Sequence, residues 1–131
     1  MNEIKLPLEL ISAGLSIIIV IAIFIKVFRY KQRLDVLKEL DRRKDMSKLT
    51  QEDKNYIHSN LKEYNQKLEK VENLTRLLFP IFITIGAILF LFFSLEQTLI
   101  HLNVIIVAYI YLQIHRIHTR NYSKFLEDLD K

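Results

Sequence analysis

The chain has no cysteine, and among its 131 residues there are only two glycines and two prolines. Without cysteine there are no disulfides, no thiolate metal sites and no cysteine nucleophile. The scarcity of glycine and proline argues against all-β folds, glycine-rich phosphate loops and disordered linkers. A third absence is local. Residues 77–115 contain no lysine or arginine, although the chain holds 19 of them: one in 1–25, fourteen in 26–76 and four in 116–131. Half of the residues are hydrophobic and 26% are charged, yet the two populations barely mix. An ordinary soluble domain interleaves them within every element, so this segregation excludes one.

What is there instead is apolar sequence in lengths that match a bilayer. The first stretch, 6–27, contains the run Ser16–Ile25, in which every residue after Ser16 is apolar. About twenty residues at 1.5 Å each cross a hydrocarbon core of roughly 30 Å. Its β-branched content would also suit a buried strand, but there is no sheet for one strand to join. The second stretch, Leu77–Ile114, has 38 residues and one formal charge, Glu96. As a single helix it would be roughly 57 Å long, too long for one crossing. Ser94–Thr98 is its only polar interruption, so it reads as two helices, 77–95 and 98–114, joined by a tight turn. Pro80 is expected near the start of the second membrane helix, where a missing N–H matters least.

Basic residues beside the spans set orientation. Fourteen follow the first span and four follow the third, against Lys5 alone before the first and none at the Glu96 turn. The expectation is an N-terminus outside, with 28–76 and the tail 115–131 cytoplasmic. The basic residues follow the first apolar run and no small-x-small cleavage site appears, so that run is expected to stay as an anchor. The Ile-, Lys- and Asn-rich composition suggests an AT-rich genome, and the expected location is a bacterial inner membrane.

Between the first two spans the apolar residues take helical-seam spacing. Val27, Tyr30, Leu34 and Leu37 step by three and four, as do Ile57, Leu61, Tyr64, Leu68 and Val71. Thr50 has the chemistry of a helix N-cap, with Glu52 and Asp53 at the positive end of the dipole. The predicted element is an antiparallel, coiled-coil-like helical hairpin. Its arms, 29–44 and 51–76, differ by roughly 15 Å, which predicts a break near His58–Asn60 or a fold-over at the tip. Fourteen basic against nine acidic residues give 26–76 a charge of +5. Lys26, Arg29, Lys31 and Arg33 precede the first acid and fit anionic lipid headgroups. Nucleic acid is a poor fit, because acids are interspersed and no base-reading motif appears.

Polar residues within a span are functional suspects. Glu9, Glu96, His101 and Asn103 all fall near the outer surface and form a candidate polar membrane site, set against simple snorkelling to the headgroups. Tyr109, Tyr111, Gln113, His115 and His118 match an interfacial belt. The two histidines share a helix face, but no further ligands accompany them to make a metal site. Gly14, Gly86 and Ala108 fall at similar depth, which predicts close helix crossing, Gly14 against Gly86. Ser12 and Ser16 offer an alternative face for a second copy. No nucleophile elbow or other catalytic motif is present.

The fold class expected is therefore all-α: three transmembrane helices with a cytoplasmic hairpin between the first two. The function expected is a non-enzymatic scaffold or accessory subunit without cofactor, using the hairpin to bind a partner protein or another copy. Its alternative is a homo-oligomeric channel or transporter, with a pore between protomers lined by Glu9, Thr84, His101 and Asn103. A membrane enzyme or toxin-like pore-former comes third.

Overall fold

The computed structural model describes residues 2–131, with side chains from residue 7 onward. The side chains of Lys5 and Leu6, at the expected outer end of the first span, lie outside the described residues. Apart from two short turns and the last residue the described chain is helical, with α1 at Asn2–Asp45, α2 at Gln51–Phe92 and α3 at Leu95–Asp130. All three helices are long and apolar enough to cross a membrane. Within the most apolar eighteen residues of each, only 6% of positions in α1 and 11% in α2 and α3 are buried. So much outward apolar surface suits hydrocarbon rather than water.

At 44, 42 and 36 residues the helices extend roughly 66, 63 and 54 Å, about twice a hydrocarbon core. Each therefore carries a polar portion as well, and the contacts divide accordingly. One compact unit combines Met1–Ile25 with Leu74–Ile114; the other combines Lys26–Asn73 with His115–Lys131.

In the first unit the turn between α2 and α3 is Phe93–Ser94, two residues long and earlier than the gap expected between helices 77–95 and 98–114. Ser94 is the reason. Its hydroxyl accepts from the Gln97 N–H at 3.3 Å and its carbonyl from the Thr98 N–H at 2.9 Å, so helix begins at once. Glu96 then lies in the first turn of α3, where negative charge complements the dipole. Thr98 is fully buried and donates to the Leu89 carbonyl at 2.9 Å, tying the start of α3 to α2. Pro80 is not near a helix start: α2 begins at Gln51, so Pro80 sits in its interior. Residues 51–76 are polar but helical, and the helix simply passes through them.

The second unit is a three-helix arrangement rather than a two-helix hairpin with a loose tail. Its core is Leu37 and Leu40 of α1, Ile57 and Tyr64 of α2, and Tyr122, Leu126 and Leu129 of α3. The α3 residues step by four and three, the same spacing as the α1–α2 seam, and so present one apolar stripe. The expected break at His58–Asn60 is absent. Measured within this unit the arms are 26–45 and 51–73, 20 and 23 residues, and little mismatch remains to be absorbed.

The reversal between those arms is fixed by backbone geometry. The Lys48 N–H reaches the Arg43 carbonyl at 2.8 Å and the Ser47 N–H reaches that of Lys44 at 3.0 Å, with Ser47 at φ 56°. This is a Schellman termination with serine at the left-handed position that glycine usually fills. Thr50 then caps α2 reciprocally. Its hydroxyl accepts from the Asp53 N–H at 3.0 Å, and its own N–H donates to the Asp53 carboxylate at 3.2 Å. These bonds to Thr50, backbone first, hold the Asp53 carboxyl below its ordinary range, with Arg43 adding to the effect.

Candidate functional site

In the first unit two serines of α1 meet two polar residues of α3. Ser12 Oγ lies 2.6 Å from His101 Nδ1, and Asn103 Nδ2 donates to Ser16 Oγ at 3.3 Å. Ser12 and Ser16 are buried, one helical turn apart on the same face, which is why both reach α3. Phe93 places its ring edge-on to His101 at 5.5 Å and closes that side of the imidazole. No hydrogen bond or ion pair joins Glu9 or Glu96 to these residues. Glu9 is half-buried three residues before Ser12, and Glu96 is exposed. The sequence candidates thus split, with His101 and Asn103 in one cluster and the two carboxylates outside it.

The small residues are placed unequally. Gly86 is buried, and a Cβ there would stand 3.6 Å from Leu102 Cδ1, so its close neighbour is α3. A Cβ on Gly14 would meet nothing within 4 Å, and Ala108 is half-buried. The expected Gly14–Gly86 approach is not what draws α1 in; Ser12 and Ser16 make its small-residue contact. Because those serines face α3, they do not offer a free face to a second copy. Thr84 is exposed and donates to the Pro80 carbonyl at 2.8 Å, within its own helix.

In the second unit the seam residues line the interior. Leu37, Ile57, Tyr64 and Val71 are buried, and Tyr30, Leu34, Leu61 and Leu68 half-buried. Tyr64 and Tyr122 lie ring against ring at 4.2 Å. Burial raises the Tyr122 hydroxyl well above its ordinary pKa, with Tyr56 and Tyr64 adding to it. Of the four expected headgroup residues, Lys26 is half-buried while Arg29 and Lys31 are exposed. Arg33 turns instead to donate to the Tyr64 hydroxyl at 3.3 Å. Val36 and Tyr56, both exposed, flank an open groove of about 490 Å³ that Leu40, Glu39 and Arg43 also line.

A second polar layer opens the α3 portion of this unit. His118 stacks flat on Tyr30, centroids 3.8 Å apart and planes 6° from parallel. Burial lowers the pKa of both His115 and His118, and the positive charge of Lys26 lowers each further. Arg116 Nε and Arg120 approach the same Glu72 oxygen at 3.9 and 3.6 Å. Among the described residues no three His, Cys, Asp or Glu side chains gather as metal ligands. Sequence reasoning missed Arg116, Lys67 and Glu72 as members of one layer. It also missed Ser12 and Ser16 as partners, having weighed them only as small residues. The signal available was the run His115, His118, Tyr122, Phe125 and Leu129, stepping by three and four as the seam does.

Comparison of the chain with family models, with curated proteins and with solved structures gave no match.

Proposed function

We propose that this chain is a small membrane scaffold or accessory subunit. Its apolar unit serves as the anchor, and its polar three-helix unit engages a partner protein or another copy. It works by binding, without catalysis or a cofactor. The observation that carries this reading is the pairing of polar side chains on the apolar helices. Ser12 bonds His101, Ser16 bonds Asn103 and Thr84 bonds its own backbone. A conduction path needs such groups turned toward an ion or water. Here they act as links between and within helices, which weighs against a pore between protomers. The interaction surface then falls to the polar unit, where the groove beside Val36 and Tyr56 is one exposed apolar feature.

The distribution of lysine and arginine supports an orientation with the N-terminus outside and 28–76 and 115–131 cytoplasmic, in a bacterial inner membrane. Conductance and assembly size test the function. The purified chain in liposomes is expected to pass no more ions than empty liposomes do. In detergent extracts of its native membrane it is expected to run as a complex larger than the chain. Val36→Glu with Tyr56→Glu should shrink that complex. Ion flux that vanishes with Ser16→Leu or Asn103→Leu would establish conduction and overturn the scaffold reading.

A further inference from the structure

Where the polar portions of α1 and α3 begin, Lys26 follows Ile25 and His115 follows Ile114. One turn separates Lys26 from Tyr30 on α1, and three residues separate His115 from His118 on α3, so each pair shares a helix face. The two faces meet. The His118 ring lies flat on Tyr30, centroids 3.8 Å apart and planes 6° from parallel, and joins α3 to α1. Its Nδ1 is shielded from solvent and has no hydrogen-bond partner. A neutral ring can leave that nitrogen as a bare acceptor, at modest cost. An imidazolium carries a proton on each nitrogen, so its Nδ1–H would be a buried, charged donor without an acceptor. The surrounding charges oppose protonation too. Lys26 of α1 acts on both imidazoles, and His118 and Lys67 of α2 act on His115. The α2 carboxylates Glu63 and Glu72 are engaged elsewhere, Glu63 with Lys67 at 3.2 Å and Glu72 with Arg116 and Arg120 at 3.9 and 3.6 Å.

We propose that the Tyr30–His118 stack is an acid-sensitive latch between α1 and α3: protonation of His118 releases it, while the apolar core of Leu37, Ile57 and Leu126 stays closed. Attraction of a cation to the Tyr30 face works against release, but a half-buried charge near Lys26 with one donor unsatisfied outweighs it. Burial, and then Lys26, hold the His118 imidazole below its ordinary pKa in the closed form, so the open form takes the proton more readily. The latch is therefore fully held above about pH 6.5, where an ordinary imidazole titrates. It weakens as pH falls through that value and levels off once the closed form is protonated as well. His115, lowered by burial and by Lys26, adds in the same direction. Release uncovers Tyr30 and the α3 face from His115 to His118, a surface that the closed form hides. The latch belongs to the polar unit by itself and does not depend on any partner protein.

The test is hydrogen exchange of the full chain in lipid discs at pH 7.5 and pH 5, with each rate divided by the intrinsic chemical rate at that pH. Peptides covering 26–34 and 115–122 should lose about tenfold in protection at pH 5, the change that a pKa difference of about one unit gives. Protection around Leu37, Ile57 and Leu126 should hold. His118→Phe keeps a flat ring for Tyr30 without a titrating group and should remove most of the loss. His118→Phe with His115→Gln should remove all of it. Lys26→Gln should lessen the loss, by letting the closed form take the proton. His58 is an exposed imidazole paired with Asp130, and His58→Gln should change nothing in those peptides. Circular dichroism at both pH values shows that each variant is folded. Wild-type protection that is the same at pH 7.5 and pH 5 would overturn the proposal. So would a loss that survives His118→Phe with His115→Gln, or one shared equally by the core, since acid would then be unfolding the whole unit.

Discussion

At the scale of single residues, a hydroxyl and an imidazole do the joining between α1 and α3 in the apolar unit. The Ser12–His101 contact at 2.6 Å is short and within a mostly apolar surrounding, where interhelical hydrogen bonds contribute modestly but measurably. Ser12→Ala should therefore cost about 0.5–1.5 kcal/mol, read from reversible unfolding in mixed micelles. Unchanged stability would show that the bond is incidental to packing. His101 and Asn103 were legible in the sequence, because a polar side chain inside an apolar run stands out. Their partners were not. Serine is small enough to pass as a packing residue, and which one faces α3 depends on how α1 is rotated about its axis. A single helix pattern does not contain that angle.

At the scale of elements, capping chemistry was readable and continuity was not. Thr50 and Asp53 close a box with aspartate in place of the usual glutamate, as the local sequence implies. The preceding reversal carries the less expected feature, a serine held at φ 56°. Left-handed backbone burdens any residue with a Cβ, so Ser47→Gly should stabilise the polar unit by about 0.5–1 kcal/mol in thermal or denaturant unfolding. A loss on that substitution would mean that the Ser47 side chain has a role of its own. Polar and apolar stretches look like separate elements in sequence, but the backbone hydrogen bonds of a helix are indifferent to side-chain polarity. Helices α1, α2 and α3 therefore run through the boundaries at which the sequence appears to change.

At the scale of the whole molecule, the segregation of charge survives as two compact units, each with its own internal logic. The apolar unit leaves most side chains outward; the polar unit hides Leu37, Ile57 and Leu126 almost completely. Because α3 supplies part of that core, Leu126→Ala should cost about 2–5 kcal/mol. Hydrogen exchange should report the loss in residues 26–73, far away in sequence. Protection reduced only around residue 126 would mean that α3 merely rests on the other two helices. The continuation of α3 past residue 114 was hidden from sequence reading because 115–131 follows a span and carries charge, which resembles a solvated tail. Its stripe of Tyr122, Leu126 and Leu129 has an order in time as well. During synthesis the two earlier arms emerge long before residue 129, and until then Leu37 and Ile57 have no third wall. The polar unit thus cannot close until the Tyr122–Leu129 stretch of α3 has been made, and its first-made half waits with its apolar seam uncovered.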